Sequence, residues 1–194
     1  MVERILANRL AFLAHDVGLI APNQSGSLPS LAASDAVATL AQHVDTHQRY
    51  GRVASSMFLD IKGGFNHVSP QKLDSILAKA RTPPYITAWV RCFLSNRQYA
   101  LLFQGSPRTI LPVDVGTVQG SPIFPLLFMI YVSSLHICIP GGIIISYVDD
   151  LAITVGSKSY RTNMRLLQKA YQDLRKVADA LSLSFSLPKT DLIH

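Results

Sequence analysis

The sequence predicts a single α+β domain. Segments with apolar residues at helical spacing alternate with short apolar runs of β type. Hydrophobic residues make up 48% of the chain and charged residues 15%, enough apolar material for a packed core and too little charge for a disordered chain. A length of 194 residues suits one domain or a large piece of one, and the sequence has no internal repeat and no linker.

The elements follow in order. Ile5, Leu6, Leu10, Leu13 and Val17 mark a first helix, with Gly18 as its stop. Residues 21–34 are rich in Pro, Ser and Gly and read as a loop. Ser34 is placed to cap a second helix carrying Val37, Leu40, Ala41 and Val44, ending near Gly51. Residues 53–61 (VASSMFLDI) read as a buried strand. Ser69-Pro70 combines a cap with a first-turn proline and opens a helix through Leu73, Ile76, Leu77 and Ala80. Pro83-Pro84 opens another through Trp89 and Phe93. YALLFQG and TILPVDVG read as two strands joined through Gly105-Ser106-Pro107. A buried helix over 126–139 precedes a hairpin, IIISYVDDLAITV. A long amphipathic helix then carries Met164, Leu167, Tyr171, Leu174, Val177 and Leu181, and SLSFSLPKTDLIH reads as a last strand.

Composition narrows the function classes. Lys and Arg outnumber Asp and Glu by 18 to 12, for a net charge of +6, which favours a polyanionic partner such as nucleic acid. Cys92 and Cys138 form neither a disulfide framework nor a zinc spacing, so a reduced intracellular setting is expected. The first residues lack the apolar block of a signal peptide. Residues 121–148 contain no Asp, Glu, Lys or Arg, and a hydropathy window would flag them as a membrane span. Pro122, Pro125 and Pro140-Gly141-Gly142 interrupt that run, so a buried helix followed by a buried strand is expected and no membrane partner.

The carboxylates carry the chemistry. Asp149 and Asp150 lie between two apolar β-type runs. Asp is common in turns, because its side chain bonds the local backbone. Two adjacent carboxylates beside buried strands nevertheless repel each other, and such a pair persists with cationic partners. Asp60 stands near the end of another buried strand, with Gly63-Gly64 letting the backbone turn nearby. Hard oxygen ligands on neighbouring strands suit Mg²⁺, which keeps waters and takes its remaining ligands from substrate phosphates. In two-metal phosphoryl transfer, ions about 3.5–4 Å apart activate the attacking hydroxyl and stabilise the leaving oxygen. In GTVQGSPIFPLLF, glycines and prolines shape a loop in which Gln119 offers both a donor and an acceptor.

Taken in order, these segments resemble the palm motifs of reverse transcriptases, and most closely those of non-LTR, LINE-like retrotransposons. FLDIKGGFNHV resembles the first palm motif, GTVQGSPIFPLLF the second, YVDD the third and ALSLSFSLPKTDLIH the fourth. ERILANRL and FLSNRQYALLFQG also match the non-LTR pattern, so the resemblance covers nearly the whole chain. It implies a polymerase palm with an antiparallel sheet packed on helices, partial fingers over about 1–52, palm over about 53–194, and no thumb. The implied activity is RNA-directed DNA polymerisation, with an RNA template, a DNA primer and dNTPs as partners and two Mg²⁺ ions, or Mn²⁺, as cofactors. Asp60, Asp149 and Asp150 would be the catalytic metal ligands, joined by the backbone carbonyl of Ile61. Phe65 would lie under the incoming sugar, its ring exposed by the preceding glycines. Gln119 and Gly120 would contact nucleotide and template, Lys189 the leaving pyrophosphate, and Arg97 a nucleic-acid phosphate.

The chain departs from the pattern at Asn66, where the family usually has Asp, at Val118 and Phe124, and through SGSLPSLAA at 25–33. Expected with the resemblance are a fragment of a longer retrotransposon polyprotein with little activity alone, and nuclear action. Two alternatives stand beside it: a group II intron-type reverse transcriptase, with a mitochondrial setting, and a non-catalytic remnant that binds nucleic acid.

Overall fold

The structure, a computed structural model, describes residues 2–26, 32–103, 106–113, 115–116 and 120–194. Within these, six α-helices surround a five-stranded sheet of order β1-β5-β6-β2-β7, and β3 and β4 form a separate two-stranded sheet.

α1 (Val2–Asp16) buries Leu6, Leu10 and Ala14, the four-residue stripe its periodicity predicts. β1 (Gln24–Ser25) falls in the stretch expected as loop. α2 (Ala33–Arg49) is capped two residues before the expected Ser34. Its N-cap is Ala32, whose backbone N–H donates to the Asp35 carboxylate at 2.7 Å. β2 (Val53–Asp60) is the expected strand. α3 (Pro70–Lys79) begins as the sequence predicts, with the Ser69 hydroxyl accepting from the Lys72 N–H. α4 (Pro84–Leu94) buries Ile86, Val90 and Leu94. β3 (Arg97–Phe103) and β4 (Ser106–Val113) pair antiparallel.

α5 (Phe124–Val132) is shorter than the expected 126–139 helix and starts earlier, with Pro125 in its first turn. A 3-10 turn, Ser133–Leu135, ends it. Every described side chain of α5 except Pro125 is buried, which accounts for the uncharged run. No helix among the described residues is long and apolar enough to cross a membrane. β5 (Gly142–Tyr147) and β6 (Asp150–Ser157) form the expected hairpin. α6 (Tyr160–Ala180) and β7 (Asp191–Ile193) complete the chain.

The sheet is mixed where an antiparallel one is expected. β5, β6, β2 and β7 are antiparallel neighbours, but β1 runs parallel to β5. The reason is local: the Asn23 and Ser25 carbonyls accept from the Ser146 and Val148 N–H groups, both at 3.0 Å, satisfying the edge of β5. The buried Gln24 side chain anchors this short strand by donating to the Met129 carbonyl at 2.8 Å.

Strand alternation sorts the two faces of the sheet. Met57, Leu59, Ile144, Leu151, Ile153 and Val155 turn to the core shared with α5 and α6. Asn163 of α6 reaches the same face, donating to the Val53 carbonyl and the Ser55 hydroxyl. The opposite face carries Phe58, Asp60, Asp150 and Ala152 and is crossed by α2. There the His47 ring fills the space a side chain at Gly156 would need, since a Cβ would lie 2.2 Å from it. Helices thus cover both faces, and only the ends of the strands reach solvent with charge.

One half-buried titratable group links the end of α5 to the hairpin. His136 Nε2 lies 2.8 Å from the Ser146 hydroxyl, and burial pushes its pKa down from 6.5 to about 4. The folded state therefore holds the ring neutral while the unfolded chain takes up a proton first as pH falls. Stability present above pH 6.5 is lost progressively between 6.5 and about 4, by up to about 3 kcal/mol. Urea unfolding measured across that range will show the drop, and His136→Gln will remove this part of it. An equal drop in the variant would contradict the assignment.

Candidate active site

The register of β2 and β6 places Asp60 directly opposite Asp150. Directly opposed residues point to the same face, so the two carboxylates share the face crossed by α2. Tyr147 pairs with Asp150 across the β5–β6 hairpin, leaving Val148 and Asp149 as its two-residue turn. The backbone ties the turn to the end of β2: the Ile61 N–H donates to the Asp149 carbonyl at 3.1 Å. The segment after α6 clamps the other edge of β2. The Ser186 N–H donates to the Asp60 carbonyl at 2.9 Å, and the Lys62 N–H to the Ser184 carbonyl at 2.8 Å. Three stretches distant in sequence thus meet at one strand end.

The turn itself is strained. Val148 has φ +56°, a left-handed conformation that is a clear outlier for a β-branched residue and costs about 1–3 kcal/mol. Two-residue hairpin turns with positive φ at the first central position normally place Gly there. β1 holds the strained residue. The Val148 N–H is bound to the Ser25 carbonyl, and the Ser25 hydroxyl donates to the Ser146 carbonyl at 2.9 Å. Gly26 follows, and a Cβ on it would lie 2.6 Å from Val148 Cγ2.

Electrostatics mark the site. The Asp150 carboxyl is held above the ordinary value, first by desolvation, then by the charges of Asp149 and Asp60, with Lys189 opposing. The Lys189 ammonium donates to Asp60 Oδ1 at 2.9 Å. That hydrogen bond, followed by the Asp60 charge, raises the Lys189 pKa. Lys189 is 68% exposed and Asp60 19%, so the ion pair lies at the mouth of the site. A cleft of about 610 Å³ opens here between the N-terminal half of α2 (Ala33, Val37, Leu40), the strand ends bearing Asp60 and Asp150, and the turn bearing Lys189.

The donor set suits a hard divalent cation: three carboxylates, mutually repelling, with an ammonium already against one of them. Among the described residues, however, no three Asp, Glu, His or Cys side chains converge on one point that could hold a metal ion. The main chain brings the carboxylates together, but their side chains are not gathered into a common ligand shell.

The other expected site residues fall in different places. The Phe65 ring is half-buried, stacked on Phe128 at 4.4 Å between centroids, rather than exposed. Gly64 serves that stacking, because a Cβ there would lie 2.8 Å from Phe128 Cζ. The Ile61 side chain is buried, with its backbone in the site. Gln119 lies outside the described residues. Gly120 lines a separate depression with Glu3, Arg4 and Asn8. Arg97 donates to the Gly116 carbonyl at 2.8 Å and to the Leu94 and Val115 carbonyls, so its guanidinium braces the base of the β3–β4 hairpin.

Comparison with known proteins gives this arrangement a family. The model of the reverse transcriptase (RNA-dependent DNA polymerase) family matches residues 1–194. The chain belongs to the reverse transcriptase family. Similar proteins include, in Drosophila melanogaster, a probable RNA-directed DNA polymerase from transposon BS, 24% identical over 86% of this chain and 19% of the relative. Another is the RNA-directed DNA polymerase from mobile element jockey, 31% identical over 55% of this chain and 12% of the relative. These relatives support a non-LTR, LINE-like reverse transcriptase. The chain spans about a fifth or less of the length of the curated relatives it matches. Among solved structures, apo telomerase from Candida tropicalis shares the fold with a TM-score of 0.72 at 11% identity, covering 100% of this chain and 36% of that one. Telomerase from Candida albicans gives 0.62 at 12% identity, covering 100% and 35%.

Sequence reasoning for this reverse transcriptase chain missed two supports of the carboxylates: the β1 brace and the clamp at Ser184 and Ser186. Gly26 was the available signal for the first, a glycine at φ +91° whose missing Cβ admits Val148. Gly26→Ala will cost about 1–3 kcal/mol of stability through that collision and the positive φ. In a Val148→Gly background the collision is gone, and the cost will fall by about 1 kcal/mol or more. Urea unfolding of the four chains measures the cycle, and strictly additive costs would contradict the brace.

Proposed function

We propose that this chain carries the catalytic centre of an RNA-directed DNA polymerase, transferring a nucleotide from a dNTP to a primer 3′-hydroxyl on an RNA template. The observation that carries the reading is the opposition of Asp60 and Asp150 across β2–β6, with Asp149 in the adjoining turn. Because the relatives are several times longer, template, primer and dNTP all belong to the proposal. So do a place within a longer polyprotein and action at nuclear DNA.

Asp60, Asp149, Asp150 and the Ile61 carbonyl would hold two Mg²⁺ or Mn²⁺ ions. Bound there, such ions lower the pKa of an attacking hydroxyl and stabilise the leaving oxygen. The remaining roles belong to the chain itself. Lys189 reaches Asp60 from an exposed turn and can move to a departing pyrophosphate without rebuilding any strand. Phe65, stacked on Phe128, forms a fixed ring whose open side can bear on a nucleotide sugar and disfavour a 2′-hydroxyl. Gln119 and Gly120 would contact nucleotide and template. Arg97 holds the loop at Val115–Gly116 and contributes to a phosphate contact through that position.

Primer extension on an RNA template with Mg²⁺ tests the assignment. Whatever templated extension the chain supports will fall by about 100-fold or more in Asp149→Asn. Extension unchanged in that variant would contradict the catalytic role of the carboxylates.

A further inference from the structure

α6 presses Asn163, Leu167, Ala170, Leu174 and Ala178 against the sheet and leaves a basic side outward. Arg161, Arg165 and Lys169 are exposed and follow one another at four-residue steps. They therefore share one face, about 6 Å apart along the axis. Exposed Lys158 precedes them. No acidic residue occurs between Asp150 and Asp173.

The two halves of this helix are built differently. In the C-terminal half, Lys176 pairs with Asp173 at 2.9 Å and Arg175 with Asp179 at 3.9 Å. Among the described residues, no carboxylate forms an ion pair with Lys158, Arg161 or Arg165, and the carboxylate nearest Lys169 is Asp173, one turn on, which is hydrogen-bonded to Lys176 and feels the Lys169 charge only at longer range. Like charges four residues apart repel, and cations in the first half of a helix oppose its dipole. The stripe is thus an electrostatic cost in the free protein, relieved by a polyanion. Exposed Tyr160 stands at its start, edge-on to His194, and offers a ring on which a base can stack.

This stripe lies on the side of the sheet away from the carboxylates. Asn163 binds Ser55, on the Met57 and Leu59 face of β2, whereas Asp60 shares its face with Phe58. We propose that the outer face of α6 is a second strand-holding surface, which takes the phosphate backbone of a single nucleic-acid strand independently of the carboxylate centre. It goes beyond the polymerase reading and does not depend on it.

Fluorescence anisotropy with RNA and DNA 20-mers of one mixed sequence, at several KCl concentrations, tests the proposal. Each phosphate neutralised contributes about 0.7 to the slope of log affinity against log salt for single strands. Arg161→Gln/Arg165→Gln/Lys169→Gln will weaken binding and lower that slope by about 2, whereas Arg161→Lys/Arg165→Lys will preserve it. Loss with both strands assigns the contact to phosphate, and loss with RNA alone to RNA; either supports the surface. The charge-matched Arg9→Gln/Lys79→Gln/Arg81→Gln will leave the slope unchanged. An unchanged slope in the α6 triple would overturn the proposal, as would an equal fall in that control.

Discussion

The pairing register of β2 with β6 is the constraint on which the rest depends. Eight residue pairs run from Val53–Ser157 to Asp60–Asp150. A slip of one position would turn Met57, Leu59 and Ile61 to the other face and bring Asp60 into the core. Apolar side chains on the core face resist that slip. A buried hydroxyl pair, Ser56 with Thr154 at 2.8 Å, resists it on the other. The Asn163 bonds to Val53 and Ser55 lock the far end of β2 to α6. Because the register is set by burial along the strand, the carboxylates need no mutual attraction to meet. They are held together against their own repulsion, which, after desolvation, helps to raise the pKa of Asp150.

That repulsion explains the company the carboxylates keep. Lys189 sits against Asp60, and the segment that delivers it is hydrogen-bonded to the backbone at Asp60 and Lys62. The strain at Val148 lies beside them, in the turn that carries Asp149. Such strain persists where surrounding contacts over-determine it, and β1 with Gly26 supplies those contacts. The face behind the sheet is built differently. There α6 buries an apolar stripe and turns its cations outward, so the negative strand ends and the positive helix side are separated by the thickness of the sheet.

Much of this was legible in the sequence, for identifiable reasons. The Ser69-Pro70 helix start and the hairpin around Asp149 and Asp150 depend on local chemistry, and both formed as read. The fold class and the family were carried by motif order, which is independent of fine geometry. What failed depended on tertiary contacts. β1 is two polar residues whose only signature is partnership with β5. α5 ends before its apolar run does, because the chain must turn to feed β5. Phe65 followed two glycines and was expected exposed, but Gly64 instead lets Phe128 approach. The bonds of the Arg97 guanidinium to the Leu94, Val115 and Gly116 carbonyls likewise had no signal in the sequence.

The central proposal is that Asp60, Asp149 and Asp150, brought to one strand end by this register, take up a divalent cation. Anomalous diffraction from crystals of the chain soaked in Mn²⁺ tests it most directly. The account predicts a manganese peak bound by Asp60 and Asp149 oxygens at the end of β2, with Lys189 displaced from Asp60. A saturating soak with no peak there, and with the Lys189–Asp60 pair intact, would contradict it.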